Sequence, residues 1–292
     1  MRITPLIAST FRSDGGSMFG LVPRPIWAKR IPPDERHRIP QNANVLLVEL
    51  DDKRRGLVDT GCGSAEHFSG KEIDLHGLGP GWPLMENLAR LGVAPDQIDF
   101  VLHTHLHWDH AGGAVSGGRP VFPRATHYVH RREWEDAASG NPLLFKSYPA
   151  EIVDGFAKIP ERRRVLVGDD TTIAPGVRMS RSGGHTFGHC VIVLEDPSTE
   201  IVLPSGNRKA PDLCIYAGDV CPTRHHLRMV FQTSYDTFPL DTRAWKRNWL
   251  PRLAERKGLL FFDHDPDVFA ATIAADPREE FAVTSTLPCA GT

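Results

Sequence analysis

The decisive stretch of the sequence reads Val101-Leu102-His103-Thr104-His105-Leu106-His107-Trp108-Asp109-His110-Ala111-Gly112-Gly113. A compact apolar segment at residues 98–102 predicts a β-strand that leads directly into it. Four residues of metal-ligating type then fall within six positions: His105, His107, Asp109 and His110. Alternating side chains at a strand end, followed by a turn, can aim these groups at one point. Burying so many titratable groups without a cation would be costly, so the stretch predicts a metal site.

The pattern around this stretch is that of a layered protein of strands and helices. Residues 45–50, a polar turn and residues 57–58 predict a β-hairpin. Helices are predicted at residues 83–91 and, with apolar residues every three or four positions, at residues 242–257. Further strands are predicted at residues 126–130, 177–180, 190–194, 201–203, 213–217 and 259–262.

Two segments, residues 14–40 and residues 141–158, fit neither the pattern of a strand nor that of a helix. The first is rich in Gly, Pro and Arg, and its Met18, Phe19 and Trp27 look exposed. Loops of this length are usually lids, binding walls or oligomer contacts. We therefore predict a long N-terminal loop over residues 14–40 that serves as a homodimer contact.

Composition and charge limit the classes of function. The 292 residues are 40% hydrophobic and 24% charged, which suits a globular protein with a substantial core. Lysine and arginine number 34 against 36 aspartate and glutamate residues, a formal charge of -2. No positive field is therefore expected to gather nucleic acid or an anionic membrane, and we expect a small-molecule substrate.

The amino terminus and the cysteines bear on location. MRITPLIAST lacks a basic segment leading into a long apolar stretch, and no apolar run approaches the ~20 residues of a membrane span. We therefore expect a cytoplasmic protein without membrane contact. The five cysteines are odd in number and form no CxxC pair, which indicates reduced thiols and no structural zinc knuckle.

Four further motifs share the order and the spacing of a known family. They are Val58-Asp59-Thr60-Gly61, Gly184-His185-Thr186-Phe187-Gly188-His189, Ala217-Gly218-Asp219 and Phe261-Phe262-Asp263-His264-Asp265-Pro266. Together with the histidine-rich stretch, they resemble the metal-binding signature of the metallo-β-lactamase superfamily over almost the whole chain. Each histidine alone would more often be a core or turn residue, and their joint occurrence in family order favours metal binding. Phe187 stands where the family commonly has proline, a position that is not a ligand.

The resemblance implies an α/β fold, the four-layer αβ/βα sandwich called the metallo-β-lactamase fold. Two mixed sheets would lie face to face with helices outside and the site on one edge. No internal repeat or linker divides the sequence. We therefore expect a single domain over residues 1–292.

The resemblance also implies a set of metal ligands. One ion would be held by His105, His107 and His189, a second by Asp109, His110 and His264, and Asp219 would bridge them. Asp59 would brace the site without being a ligand. Imidazole and carboxylate ligands suit zinc, which we expect, and also iron, manganese or cobalt.

Such a pair of ions predicts metal-assisted hydrolysis. Two divalent cations about 3.5–4 Å apart lower the pKa of a shared water, polarise a carbonyl group and accept charge on the leaving oxygen. Asp109 is then the candidate to orient the nucleophile and to shuttle a proton.

Within the superfamily, the sequence resembles the branch of acyl-homoserine-lactone lactonases and organophosphate or aryl-ester hydrolases. We expect a small, largely neutral ester or lactone as substrate, with organophosphates or aryl esters as the alternative. Lactonases carry a tyrosine shortly after the bridging aspartate, and none follows Asp219 here. His225 or His226 and Tyr235 are the candidates to contact the substrate in its place.

Two other classes of function remain open. A mononuclear iron oxidoreductase similar to the persulfide dioxygenases would use two histidines and one aspartate, so the number of ions per chain discriminates it from a two-metal hydrolase. A scaffold used only for binding is the non-enzymatic alternative. Such proteins usually lose ligands, whereas all seven residues are present here.

Overall fold

The computed structural model of this chain describes residues 1–144 and 148–289. The strands are, in chain order, β1 (Arg2–Asp14), β2 (Arg38–Glu49), β3 (Arg55–Val58), β4 (Phe100–Leu102), β5 (Val115–Ser116), β6 (Arg119–Pro120), β7 (Thr126–His130), β8 (Arg164–Val167), β9 (Asp170–Ala174), β10 (Val177–Arg181), β11 (Cys190–Leu194), β12 (Glu200–Ile201), β13 (Arg208–Lys209), β14 (Cys214–Tyr216), β15 (Leu259–Phe261), β16 (Val268–Asp276) and β17 (Glu280–Pro288). The helices are α1 (Gly15–Phe19), α2 (Arg24–Trp27), α3 (Gly70–His76), α4 (Pro83–Arg90), α5 (Trp108–Ala111), α6 (Arg131–Ala138), α7 (Ala150–Ala157) and α8 (Pro239–Glu255). No helix within these two ranges combines the length and the apolar character that a bilayer crossing requires.

The first sheet contains eight strands in the order β13-β12-β1-β2-β3-β4-β7-β8. Its strands β1 and β2 form a long antiparallel ribbon, with Arg2 opposite Glu49 and Asp14 opposite Arg38. Strands β3, β4, β7 and β8 are parallel to one another. Their carboxyl ends therefore lie at one edge, where open α/β sheets commonly carry their functional side chains.

The second sheet contains seven strands in the order β17-β16-β15-β14-β11-β10-β9. Among the strands that the structure describes in this sheet, β14 and β15 are paired in parallel and the other pairs are antiparallel. The chain leaves β14 towards Asp219 and leaves β15 towards His264, whereas the connection between β10 and β11 carries His185 and His189.

The two sheets face each other because apolar residues alternate along their strands. In β2, Leu46 and Val48 lie in the core between the sheets, whereas Val45 and Leu47 lie in an outer cluster with α4. Strand β11 divides its residues in the same way between the central core and a cluster with α8. The order of layers is therefore helix, sheet, sheet, helix, which confirms the predicted αβ/βα sandwich.

Most of the predicted elements are present. Helices α4 and α8 lie at residues 83–90 and 239–255, and β7 and β11 have the predicted bounds. The long strands β1, β16 and β17 were not predicted. Their segments are rich in Thr, Ser and Ala, with too few large apolar residues to give a clear alternating pattern.

The two predicted long loops are partly helical. Residues 14–40 form α1, α2 and the start of β2, and Met18, Phe19 and Trp27 are buried there together with Phe231. Their apolar surface is used within the chain, so the basis for the homodimer contact is lost and the dimer stays a prediction. In the second segment α7 occupies residues 150–157, and residues 145–147 lie outside the described part of the chain.

Candidate metal centre

Histidines and carboxylates from both sheets meet at the edge where the parallel strands end. The segment after β4 supplies donors from the first sheet, and the segments after β10, β14 and β15 supply donors from the second. Two sets of side chains bring one ligand atom each to within 4.8 Å of one another. The first donor group is His105, His107, His185 and Asp219, and the second donor group is His110, Asp219, Asp263 and His264.

The first donor group has three imidazoles around one carboxylate oxygen. Nε2 of His185 lies 2.9 Å from Oδ2 of Asp219 and 2.9 Å from Nδ1 of His107. Nε2 of His105 lies 3.7 Å from the same Asp219 oxygen. Nε2 of His105 is buried and has no hydrogen-bond partner among the described residues. The first donor group therefore contains a buried nitrogen, Nε2 of His105, whose lone pair is not used by any described residue.

The second donor group contains two imidazoles and two carboxylates. Nε2 of His110 lies 3.2 Å from Nε2 of His264, and Nε2 of His264 lies 3.1 Å from Oδ1 of Asp219. Oδ2 of Asp263 lies 3.8 Å from Nε2 of His110 and 3.5 Å from Nε2 of His264. Four donor atoms thus surround one small space.

Asp219 lies between the two groups. Its Oδ2 faces His105 and His185, and its Oδ1 faces His264 on the other side. One carboxylate shared by two donor sets is the arrangement expected of a bridging ligand.

Asp109, a predicted ligand and proton shuttle, lies beside the second donor group. Its Oδ2 is 3.5 Å from Nε2 of His264. It is not among the closest donor atoms, and it also lines the cavity in front of them. Asp109 is therefore at the boundary between the donors and the space open to a substrate.

The second ring nitrogen of most donor histidines is held by a neighbour. The pairs are His105 Nδ1 with Thr104 Oγ1 at 3.0 Å, His110 Nδ1 with Asp59 Oδ2 at 2.9 Å, His185 Nδ1 with Asp236 Oδ1 at 3.1 Å and His264 Nδ1 with the Asn42 carbonyl at 2.8 Å. Partners of this kind fix the orientation of a ligating imidazole and raise its basicity. The centre is therefore preorganised by a shell of residues behind the donors.

Asp59 is the most constrained of these outer residues. Its carboxylate accepts hydrogen bonds from the backbone N–H and the hydroxyl of Thr104, in addition to its contact with His110. Its backbone φ is 58°, a left-handed conformation that is rare outside glycine. Such strain persists where the surrounding contacts determine it, and functional sites are a common location.

His189, predicted as a ligand, lies next to the first donor group, with its ring centre 5.1 Å from that of His105, and its role as a ligand stays a prediction. Its Nδ1 is 2.6 Å from the Ser182 hydroxyl, and its Nε2 accepts a hydrogen bond from the backbone N–H of Asp219 at 3.2 Å. A Cβ on Gly218, whose φ is 55°, would lie 2.6 Å from that nitrogen. The ring therefore contacts the turn that presents Asp219, whereas Nε2 of His185 from the same motif lies 2.9 Å from the carboxylate of that residue.

Gly218 is required at this turn for two reasons. Its φ of 55° lies in the left-handed region that favours glycine, and any side chain would collide with the His189 ring. The glycine of the predicted Gly-Asp motif is therefore required because the His189 ring lies against the backbone just before Asp219.

The charges of the two donor groups depend on Asp219. Burial and the neighbouring imidazoles hold the pKa values of His105 and His107 well below the ordinary value. Burial also opposes protonation of His185, but Asp219 and Asp236 outweigh it and raise the pKa of His185 to about 10. For Asp219, burial is outweighed by His185, His264 and His110, which hold its pKa well below the ordinary value. The buried carboxylate is thus anionic and attracts positive charge, which a divalent cation supplies in place of protons.

The residues present fit a pair of divalent cations. Around a tetrahedral ion with bonds of about 2.1 Å, neighbouring ligand atoms are about 3.4 Å apart. The separations between donor atoms given above run from 2.9 Å to 3.8 Å. Leaving buried polar atoms such as Nε2 of His105 unpaired is costly, and ligation would satisfy them.

A cavity of about 600 Å³ opens onto the donors. Its wall contains residues of both donor groups, the apolar side chains of Met18, Trp108 and Leu75, and polar residues of the β1–β2 ribbon. This volume suits a small organic molecule. The cavity therefore gives a substrate direct access to the centre.

The two predicted substrate contacts lie in different surroundings. Tyr235 is about half exposed and lines the cavity. His226 is fully buried, its Nε2 donates to the Met18 carbonyl at 2.8 Å and its Nδ1 lies 2.8 Å from the Thr223 hydroxyl. Both nitrogens of His226 are engaged and it does not line the cavity, so its predicted catalytic role stays a prediction. His225 does not line the cavity either.

Glu133 is a site residue that the sequence analysis missed. It is buried in α6, and its carboxylate accepts hydrogen bonds from the Leu106 N–H, the Tyr148 hydroxyl and the Thr186 hydroxyl. Leu106 belongs to the histidine-rich stretch and Thr186 follows His185, so Glu133 joins the two loops of the first donor group. No short motif marks such a residue.

Gln41 is a second residue without a sequence signal. It is 2% exposed, lines the cavity, and has no hydrogen-bond partner for either amide atom among the described residues. An unpaired buried amide is unfavourable for folding, which favours a role in contacting a bound molecule.

A family model described as the metallo-beta-lactamase superfamily matches residues 38–204. The match covers more than half of the chain and includes the whole histidine-rich stretch and His185. It ends before Asp219 and His264, which lie in the later part of the chain.

The curated relatives match a smaller part of the chain. An N-acyl homoserine lactonase, AiiA from Bacillus thuringiensis subsp. kurstaki, is 29% identical over 116 residues, which are 40% of this chain and 40% of that protein. The chain therefore aligns with less than half of the length of this relative.

Two solved structures align over nearly the full length. A structure described as a probable metal-dependent hydrolase from Staphylococcus aureus is 26% identical, with a TM-score of 0.86, and covers 99% of this chain and 97% of its own. AidC, described as a dizinc quorum-quenching lactonase in complex with a product, is 19% identical with a TM-score of 0.75 and covers 97% of this chain and 94% of its own. The second likeness is one of fold.

Proposed function

The chain belongs to the metallo-β-lactamase superfamily, and on this premise we propose that it is a two-metal hydrolase that cleaves a small, largely neutral ester or lactone. The observation that carries the proposal is the position of Asp219, whose two carboxylate oxygens face different donor groups. Relatives described as lactonases, in sequence and in fold, support the choice of substrate class.

Each donor group would hold one ion. The first ion would be bound by His105, His107 and a histidine of the Gly184-to-His189 motif, the second by Asp109, His110 and His264, and Asp219 would bind both. The resemblance implies His189 as that histidine, and the distance of His185 from Asp219 favours His185. We propose zinc as the metal, because histidine nitrogens with carboxylate oxygens suit it. Bound divalent ions would supply a hydroxide nucleophile at neutral pH and would polarise the scissile carbonyl group.

Asp109 is the residue proposed to move the proton. Its carboxylate lies beside the second donor group and on the wall of the cavity. From there it can take a proton from the attacking water and later give that proton to the leaving oxygen.

Tyr235 is proposed to contact the substrate oxygen, in the role that a tyrosine near the bridging aspartate has in lactonases. It lines the cavity, and burial raises the pKa of its hydroxyl above the ordinary value. The hydroxyl therefore stays protonated at neutral pH and can donate a hydrogen bond. The apolar side chains of Met18, Leu75 and Trp108 would contact the remainder of the substrate and exclude water.

Two alternative functions can be compared with the proposed one on the geometry of the same site. An organophosphate or aryl ester would use the same ions and the same cavity, so only a substrate panel separates these classes from a lactone. A mononuclear iron oxidoreductase needs one donor group only. The second group, with two buried histidines facing Asp219, supports the two-metal hydrolase over it.

The test combines elemental analysis with a substrate panel. Purified protein is expected to contain about two divalent ions per chain and to hydrolyse members of a panel of lactones, aryl esters and phosphotriesters. A chelator should abolish the activity and added zinc should restore it. Asp109→Asn should be inactive, and the matched variant Asp241→Asn, in an exposed residue of α8, should keep the activity. One ion per chain, or oxidation of a persulfide without hydrolysis of any panel member, would refute the proposal.

A further inference from the structure

Asp263 is a carboxylate at the centre that the proposed two-metal hydrolysis does not require. We propose that Asp263 is a further ligand of the second metal ion, an inference that rests on the proposed function. The second ion would then have three carboxylates around it, from Asp109, Asp219 and Asp263, together with His110 and His264.

The burial of Asp263 is the first observation. Its side chain is 1% exposed, and neither carboxylate oxygen has a hydrogen-bond partner among the described residues. A buried carboxylate without a donor is among the most unfavourable groups that a protein can contain. Other buried carboxylates in this chain are satisfied, as Asp59 and Glu133 are by three contacts each.

The direction of the carboxylate is the second observation. Oδ2 of Asp263 is 3.5 Å from Nε2 of His264 and 3.8 Å from Nε2 of His110, too long for hydrogen bonds but close to the ligand separation of about 3.4 Å around a tetrahedral ion. The other ring nitrogens of His110 and His264 are engaged with Asp59 and Asn42. Both Nε2 atoms and Oδ2 of Asp263 therefore face the same small space.

The third observation is that a second buried carboxylate, that of Asp219, lies close to Asp263. The ligand atoms of Asp219 and Asp263 lie within 4.8 Å of each other, and both side chains are buried. In the described part of the chain, neither is paired with a lysine or an arginine. Two buried carboxylates this close must share a proton or a cation. Since imidazole nitrogens complete the set on two sides, a divalent cation satisfies all four donors.

The two metal sites would then differ in preference. The first donor group offers three nitrogens and one oxygen, whereas the second offers up to three carboxylates with two nitrogens. Carboxylate oxygens suit manganese better than imidazole nitrogens do. We therefore infer that the second site accepts manganese more readily than the first.

The experiment compares Asp263→Asn with the wild-type protein by metal titration of the metal-free form. Wild type should bind two zinc or manganese ions, and Asp263→Asn should keep one tight site and bind the second ion at least about tenfold more weakly. The cobalt-substituted proteins should also differ in their visible absorption spectra, since removal of a ligand changes the coordination of the second ion. Asp263→Glu, which keeps a carboxylate, should recover part of the affinity.

The matched control is Asp265→Asn, two residues further along the same segment. Asp265 is also buried, but its carboxylate accepts hydrogen bonds from the backbone and side chain of Arg224 and not from the donors. This variant should lose thermal stability and still bind two ions with wild-type affinity. A loss of the second ion in both variants would assign the effect to the segment as a whole and refute the ligand role of Asp263.

The outcomes separate this inference from the proposed function. A wild-type protein with a single metal site refutes both. If the wild-type protein binds two ions and Asp263→Asn shows the same affinity and the same cobalt spectrum, only the ligand role of Asp263 is refuted. Asp263 would then be a buried, protonated carboxyl group. If Asp263→Asn does not fold, the smaller uncharged variant Asp263→Ser decides between these outcomes by the same titration.

Discussion

Buried histidines occur in two regions of this protein, at the metal centre and in the packing behind it, and they differ in how their nitrogens are used. At the centre, Nδ1 of His105 is held by Thr104 while its Nε2 has no partner among the described residues. Behind the centre, His189 and His226 have both nitrogens engaged by protein groups. In His110, His185 and His264 the second nitrogen faces another donor of the centre. An imidazole anchored at one nitrogen and turned towards other donors with the second is prepared for a ligand, whereas one with both nitrogens bound to backbone or hydroxyl groups is held by the fold.

The largest effect is expected from the residue that both donor groups share. Asp219→Asn removes the negative charge between the imidazoles, so both ions should bind more weakly and activity should fall on the order of a thousandfold or more. Metal content after dialysis and the rate on the best panel substrate measure this. A variant that keeps two ions and most of its activity would mean that Asp219 is not the shared ligand.

The next effect distinguishes the two histidines of the Gly184-to-His189 motif. His185→Ala should lose the first ion, with a rate on the order of a hundredfold lower, because its Nε2 faces Asp219. His189→Ala should keep two ions and lose about 1–3 kcal/mol of unfolding free energy, because it leaves the Ser182 hydroxyl and the Asp219 N–H without their partner. Metal content and thermal unfolding of both variants form the test. The reverse pattern would restore His189 as the ligand.

This pair of histidines also marks the limit of sequence reasoning. The motif places two histidines four residues apart, and both are buried at the edge between the sheets. Which one faces Asp219 depends on the turn between β10 and β11 and on the space beside Gly218, neither of which the residue pattern encodes. The sequence therefore identifies the motif, and the choice between its two histidines as the ligand stays a prediction.

The same limit applies to the fold and to the outer residues of the site. Helices α4 and α8 were predictable because a buried stripe requires apolar residues at a period of 3.6. Strand β1 was not, because it mixes Thr, Ser and Arg with its apolar residues. Asp236 contacts His185 and Gln41 lines the cavity from segments that carry no motif, so only the folded chain reveals them.

A smaller effect is expected from the residue behind His185. Asp236→Asn removes the carboxylate that orients Nδ1 of His185, so the affinity of the first site should fall about 10- to 100-fold while the second site changes little. Competition with a metal indicator dye measures the two sites separately. Asp241→Asn, an exposed neighbour, is the control and should leave both affinities unchanged. Equal weakening of both sites would contradict the assignment of His185 to the first donor group alone.

The smallest effect concerns His226, whose two ring nitrogens are both engaged by protein groups. Burial lowers the pKa of His226 to about 3, against about 6.5 in an unfolded chain. Between these values the unfolded state binds more protons than the folded state, so stability falls with decreasing pH by roughly 1.4 kcal/mol per pH unit from this group. Denaturant unfolding of the metal-free protein between pH 7 and pH 5, compared with His226→Gln, should show a weaker pH dependence in the variant. An equal slope in both proteins would show that His226 is not the group that titrates.

The division of the donors between the two sheets has a mechanical consequence. His105, His107 and His110 extend from the first sheet, whereas His185, Asp219 and His264 extend from the second. Bound ions would cross-link the two sheets of the sandwich at its open edge. We therefore expect the metal-free protein to melt earlier and less cooperatively in calorimetry, with proteases cutting first in the loops at that edge.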